Sequence, residues 1–115
     1  MEIRSRDKNL KEALEDKAAA KRRFGTTMAE KLMLRLAALG AAESLADFWP
    51  PNSGPERCHE LKGGLKGMFS VDVKQPYRLL FRPLDEEPAL DRSDERGRWK
   101  AITAIELLDI EDTHG

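Results

Sequence analysis

The spacing of apolar positions changes midway along the chain. In residues 8–23, Leu10, Ala13, Leu14 and Ala18 recur at helical spacing with Lys and Glu between them, the pattern of an amphipathic helix. Gly25 follows where a left-handed cap is expected. Thr27-Met28-Ala29-Glu30 has capping-box spacing, in which the hydroxyl accepts from a free backbone N–H and the glutamate returns the bond. The next helix carries Met28, Leu32, Leu36 and Leu39 and stops at Gly40. Two such helices joined by a tight break predict a helical hairpin with its apolar side against something flat. Ahead of it, residues 2–6 read as a short edge strand.

Residues 41–48 have room for one more helical turn, begun at Ser44. Residues 49–55 hold three prolines, which remove donors and fix the backbone, so they read as a loop. Beyond it the period becomes two. Residues 57–62 are a strand candidate, and the glycine-rich residues 63–67 a turn. Residues 68–74 place Phe69, Val71 and Val73 on one face and Ser70, Asp72 and Lys74 on the other. Gln75-Pro76 makes a second tight turn. Residues 77–82 put Tyr77, Leu79 and Phe81 together, opposite Arg78, Leu80 and Arg82. This is an antiparallel meander with one buried face. Residues 83–98 are polar and acidic and read as a long exposed loop. Residues 99–111 are apolar at nearly every position, which fits a central strand covered on both faces. Phe69, Val71, Leu79, Phe81, Ile105 and Leu32 are expected to share one core.

A chain of 115 residues has space for a single domain, spanning 1–115. Its one cysteine excludes an internal disulfide framework and a multi-cysteine zinc site. No apolar stretch approaches the roughly 20 residues of a membrane span, and residues 1–7 lack the apolar core of a secretory signal. A cytoplasmic protein without membrane association is expected. The formal net charge of −1 conceals segregation. Residues 8–35 hold eight basic against four acidic residues, residues 57–82 six against two, and residues 85–112 four against ten. A basic face on a near-neutral protein favours a polyanion such as RNA or DNA; scattered surface charge has the same composition.

Candidate chemistry sits at Cys58-His59-Glu60-Leu61-Lys62-Gly63 and at Asp109-Ile110-Glu111-Asp112-Thr113-His114. If the last strand pairs near the first meander strand, His59 and His114 face one cleft, with Arg78 and Arg82 along its wall. Two imidazoles beside cations suit metal-free RNA cleavage. A base takes the 2′-OH proton, cations stabilise the phosphorane, and an acid protonates the departing 5′-oxygen. Taken alone, each histidine reads as a solvated surface group. Arg78 is the first candidate to hold the phosphate, with Lys62, Lys66 and Arg82 behind it. Asp112 either orients His114 or polarises the chain end. Cys58 reads as a core residue, because adjacent strand positions point to opposite faces and separate it from His59. The glycine run lacks the strand–loop–helix setting and the Lys-Ser/Thr of a P-loop, so it reads as a hairpin turn.

The segments Cys58 to Gly63, Gly67-Met68-Phe69-Ser70-Val71-Asp72-Val73 and Tyr77-Arg78-Leu79-Leu80-Phe81-Arg82 together resemble the signature of the HigB-like plasmid maintenance killer proteins, within the RelE/ParE toxin superfamily. The resemblance implies an α+β, RelE-like fold, a small antiparallel sheet packed against an N-terminal helical hairpin. It implies a ribosome-dependent mRNA endonuclease that uses no metal or cofactor. It implies three partners: a cognate helix-turn-helix antitoxin, the ribosome and mRNA. The family's catalytic histidine matches His59, and its terminal aspartate and histidine match Asp112 and His114. Its tyrosine falls at Thr113, which has neither an aromatic face nor a phenolic proton. Two other readings stand beside the endonuclease: a ParE-like toxin aimed at a protein, against which His59 and His114 argue, and a catalytically degenerate binding or regulatory module, which Thr113 and the acidic loop support.

Overall fold

The computed structural model describes residues 1–65, 67–84 and 94–112. Strand β1 (Glu2–Ser5) leads into three helices, α1 (Lys8–Glu15), α2 (Lys17–Phe24) and α3 (Thr26–Ala41). A 3-10 turn (Leu45–Phe48), capped by Ser44, precedes the proline-rich loop. Then come β2 (His59–Glu60), β3 (Phe69–Asp72), β4 (Tyr77–Pro83), a short helix α4 (Glu95–Lys100) and β5 (Ala104–Asp112). The sheet order is β1-β5-β4-β3-β2. The β2, β3, β4 and β5 neighbours pair antiparallel, while β1 lies parallel to β5.

The expected single helix over residues 8–23 is two. At Asp16 the backbone is extended (φ −122°, ψ 117°), and its carboxylate accepts from the Ala18 N–H. A short acceptor side chain competes with the helical bond and starts a new helix instead of continuing the old one. Gly25 does end α2, with φ +86° and its N–H donating to the Lys21 carbonyl. The capping box does not form. Gly25 itself is the N-cap of α3, with no side-chain bond, and the Ala29 N–H already donates to the Gly25 carbonyl. Thr27 therefore lies inside the helix, past the end that needed a cap.

One core joins the helices to one face of the sheet. Leu10, Leu14, Met28, Leu32 and Leu39 from the helices meet Phe69, Val71, Leu79, Phe81, Ile105 and Leu107. All six expected core residues are in it. The Phe69 and Phe81 rings stack at 5.9 Å across the β3–β4 pair. Residues 99–111 hold two elements where one strand was expected. Trp99 belongs to α4, fully buried, with its ring edge-on to Trp49 at 5.1 Å and to Phe69 at 5.6 Å. Helix α4 also occupies the end of the stretch read as loop, capped by the Asp94 carboxylate on the Gly97 N–H. Strand β5 begins only at Ala104, and lies between β1 and β4 as a central strand should.

Candidate functional site

Antiparallel pairing puts directly opposed residues on one face of a sheet. His59 opposes Ser70, Ser70 opposes Leu80, and Leu80 opposes Asp109. One row along, Asp72 opposes Arg78, and Arg78 opposes Glu111. Beyond the bulge at Leu80/Phe81, Arg82 opposes Glu106. These residues share the face away from the helices, and three of the candidates, His59, Arg78 and Arg82, are among them.

His59 is half-buried, and its Nδ1 lies 3.1 Å from the Arg57 carbonyl oxygen. A carbonyl only accepts, so in the neutral ring Nδ1 carries the proton and Nε2 is left with its lone pair. Arg57 adopts a left-handed conformation (φ +47°) at that position. Asp72 is the electrostatic centre of the face. Its carboxylate is 3.4 Å from Arg57 Nε and 3.3 Å from Arg78 Nε, and accepts from Gln75 Nε2 at 3.2 Å. Its backbone N–H donates to the Glu56 carbonyl, and its own carbonyl accepts from Arg35 Nε on α3, both at 2.7 Å. The segment before β2 thus folds over the end of β3. Ser70 and Asp72, expected on a polar outer face, are both buried. The Ser70 hydroxyl has no hydrogen-bond partner among the described residues.

The other candidates divide. Arg82 is paired with Glu106 at 2.8 Å, on the same face. Lys62 is exposed just beyond β2. Asp112 ends β5 opposite Tyr77, one position beyond the Arg78 row. His114, Thr113 and Lys66 lie outside the described residues. The pairing on which the two-histidine cleft was premised does not occur: β5 pairs with β4 and β1, and two strands separate it from β2. With strands about 4.8 Å apart, His59 and Asp109 stand on the order of 14 Å apart across the sheet. Any meeting of His59 with the chain end is made by residues beyond β5. Cys58 is fully buried, and its thiol is pushed up to about 12, first by burial and then by the Glu56 charge. It is a core residue, as its position beside His59 implied.

Two functional candidates escaped the sequence: Arg57, in which nothing signals a left-handed backbone, and Asp72, whose alternation marked it as exposed. Among the described residues there is no group of three or more His, Cys, Asp or Glu side chains able to hold a metal ion. No described helix is long and apolar enough to cross a membrane.

Helices on one side of a five-stranded, mostly antiparallel sheet, with arginines paired to carboxylates on the other, define a RelE/YoeB-like toxin fold. The chain is similar to three solved structures over nearly its whole length. These are the YoeB/ParE toxin from Agrobacterium tumefaciens (13% identity, 97% of this chain and 98% of that one, TM-score 0.55), the YoeB–YefM complex from Staphylococcus aureus (14%, 96% and 94%, 0.55) and the YoeB dimer from Staphylococcus aureus (14%, 96% and 94%, 0.53). No curated protein matches by sequence. Residues 4–91 match the family described as the RelE-like toxin of type II toxin-antitoxin system HigB. The chain belongs to that family, and is a type II toxin.

Proposed function

We propose that this toxin is a ribosome-dependent, metal-independent mRNA endonuclease with His59 as its general base. The observation that carries the reading is the Nδ1 contact to the Arg57 carbonyl, which leaves Nε2 as acceptor on the face that holds Arg78 and Arg82. Nε2 takes the ribose 2′-OH proton as that oxygen attacks phosphorus. The P–O5′ bond breaks, leaving a 2′,3′-cyclic phosphate and a 5′-oxygen that His114, oriented by Asp112, protonates. Arg78 stabilises the charge that builds on the phosphorane, with Lys62, Lys66 and Arg82 contributing along the backbone.

His59→Ala and His114→Ala should each slow single-turnover cleavage on programmed ribosomes by roughly 100-fold or more, while ribosome binding persists. Stripping the purified protein with EDTA before dilution into the assay should leave the rate unchanged. Thr113 favours a second reading, an attenuated or degenerate nuclease; Thr113→Tyr should then raise cleavage sharply. Absence of cleavage from every variant would leave a binding module or a protein-directed toxin. The cognate helix-turn-helix antitoxin completes the proposal, seating an acidic or amphipathic segment on the basic surface of residues 57–82. One structural neighbour was solved as the YoeB–YefM complex, which supports a paired state.

A further inference from the structure

We infer that Asp72 yokes Arg57 to Arg78 in a two-armed clamp for successive phosphates of single-stranded RNA, with Arg57 the arm beyond the scissile position and Asp72 a positioning residue. The inference rests on the ribonuclease reading of this face and adds two residues to it. A buried carboxylate costs several kcal/mol unless it is paired and hydrogen-bonded. Asp72 is 7% exposed, forms ion pairs with Arg57 and Arg78, and accepts a hydrogen bond from Gln75. It approaches both arginines at Nε, the inner edge of each guanidinium, at 3.4 and 3.3 Å. The ion pairs draw both side chains toward one carboxylate, and the two guanidiniums and that carboxylate together carry one net positive charge.

Two fixed guanidiniums separated by the width of one carboxylate match the repeat of phosphates along a strand better than they match one phosphate. The arms also differ in exposure, 56% for the Arg57 side chain and 16% for Arg78. The recessed arm sits in the strand row next to that of His59, where the reacting phosphate belongs, and the open arm is placed for its neighbour. Arg57 serves the site twice, since its carbonyl also sets the His59 tautomer.

The test pairs two measurements on the full-length protein and its Arg57→Ala, Asp72→Asn and Asp72→Glu variants. The first is the salt dependence of binding to a single-stranded RNA oligonucleotide blocked by 2′-O-methylation. The second is steady-state cleavage on programmed ribosomes. Each phosphate contact contributes about 0.7 to the slope of log K against log salt, so Arg57→Ala should lower that slope by roughly this amount. It should lower kcat/KM roughly tenfold, mainly through KM. Asp72→Asn should reduce the slope and also lower kcat, because Arg78 loses its direction, and Asp72→Glu should recover part of both. Thermal stability changed while slope and KM match wild type means that Asp72 is a structural bridge, and overturns the clamp. A wild-type protein that cleaves, with an Arg57→Ala slope equal to its own, sinks the clamp and leaves the nuclease standing. Slope losses as expected without any cleavage keep the phosphate clamp and remove the nuclease. Failure of the wild type to bind RNA removes both.

Discussion

Cys58 and His59 are neighbours in sequence with opposite environments. The alternation of a strand turns one into the core and the other onto the outer face of the sheet. For the thiol the consequence is measurable. Burial pushes its pKa up to about 12, from the ordinary thiol value of 9.0. Above pH 9 the unfolded chain releases a proton that the native protein keeps, so stability falls as pH rises through the window from 9 to 12. Cys58→Ala should flatten that alkaline slope in denaturation curves. The native thiol should also resist alkylation at pH 8, and react only at the rate of global unfolding. Rapid labelling of the folded protein would contradict its burial.

Single residues set element boundaries through backbone geometry. Asp16 splits one amphipathic stretch into α1 and α2, and Gly25 turns α2 into α3. Gly25 has φ +86° and ψ 163°, a region nearly reserved for glycine. A Cβ there would meet nothing within 4 Å, so the cost of Gly25→Ala is conformational and not steric. We expect a loss of about 1–3 kcal/mol in the free energy of unfolding, with the urea m-value preserved. Gly64→Ala, where φ is not positive and a Cβ likewise meets nothing, should change stability little. If the two substitutions prove equal, the turn at Gly25 does not require its left-handed backbone.

At the scale of the molecule, α4 is tied to the far edge of the sheet by charge. Arg98 meets Glu60 on β2 at 2.6 and 3.2 Å, and its guanidinium lies over the Phe69 ring at 5.7 Å. Glu60 also accepts from the Gly67 N–H, closing the hairpin turn that leads into β3. This pair is recessed, at 7% and 18% side-chain exposure, so losing one member leaves the other charge short of its partner. Glu60→Ala should cost about 3 kcal/mol, and hydrogen exchange should rise together in α4 and at the β2–β3 turn. Exchange confined to the turn would mean that α4 is held without the Glu60 pair.

Periodicity alone determined which residues face the core. Leu32, Phe69, Val71, Leu79, Phe81 and Ile105 were legible because a helix or strand must turn its apolar side inward wherever it ends up. The helix-to-strand order, the break at Gly25, the cap at Ser44 and the burial of Cys58 were legible for the same local reason. Tertiary structure alone decided which strands are neighbours, because strand pairing joins segments far apart in the chain. It placed β1 parallel to β5 and put two strands between His59 and the last strand. It likewise decided the fate of the polar groups. Asp72 looks solvated in sequence, and is buried because Arg57, Arg78 and Gln75 arrive to pair with it. Trp99 looks like the start of a strand, and becomes a helical plug because Trp49 and Phe69 leave an aromatic slot. Burying a charged side chain such as Asp72 costs free energy that partners from elsewhere in the chain offset, and those partners are visible only in the fold.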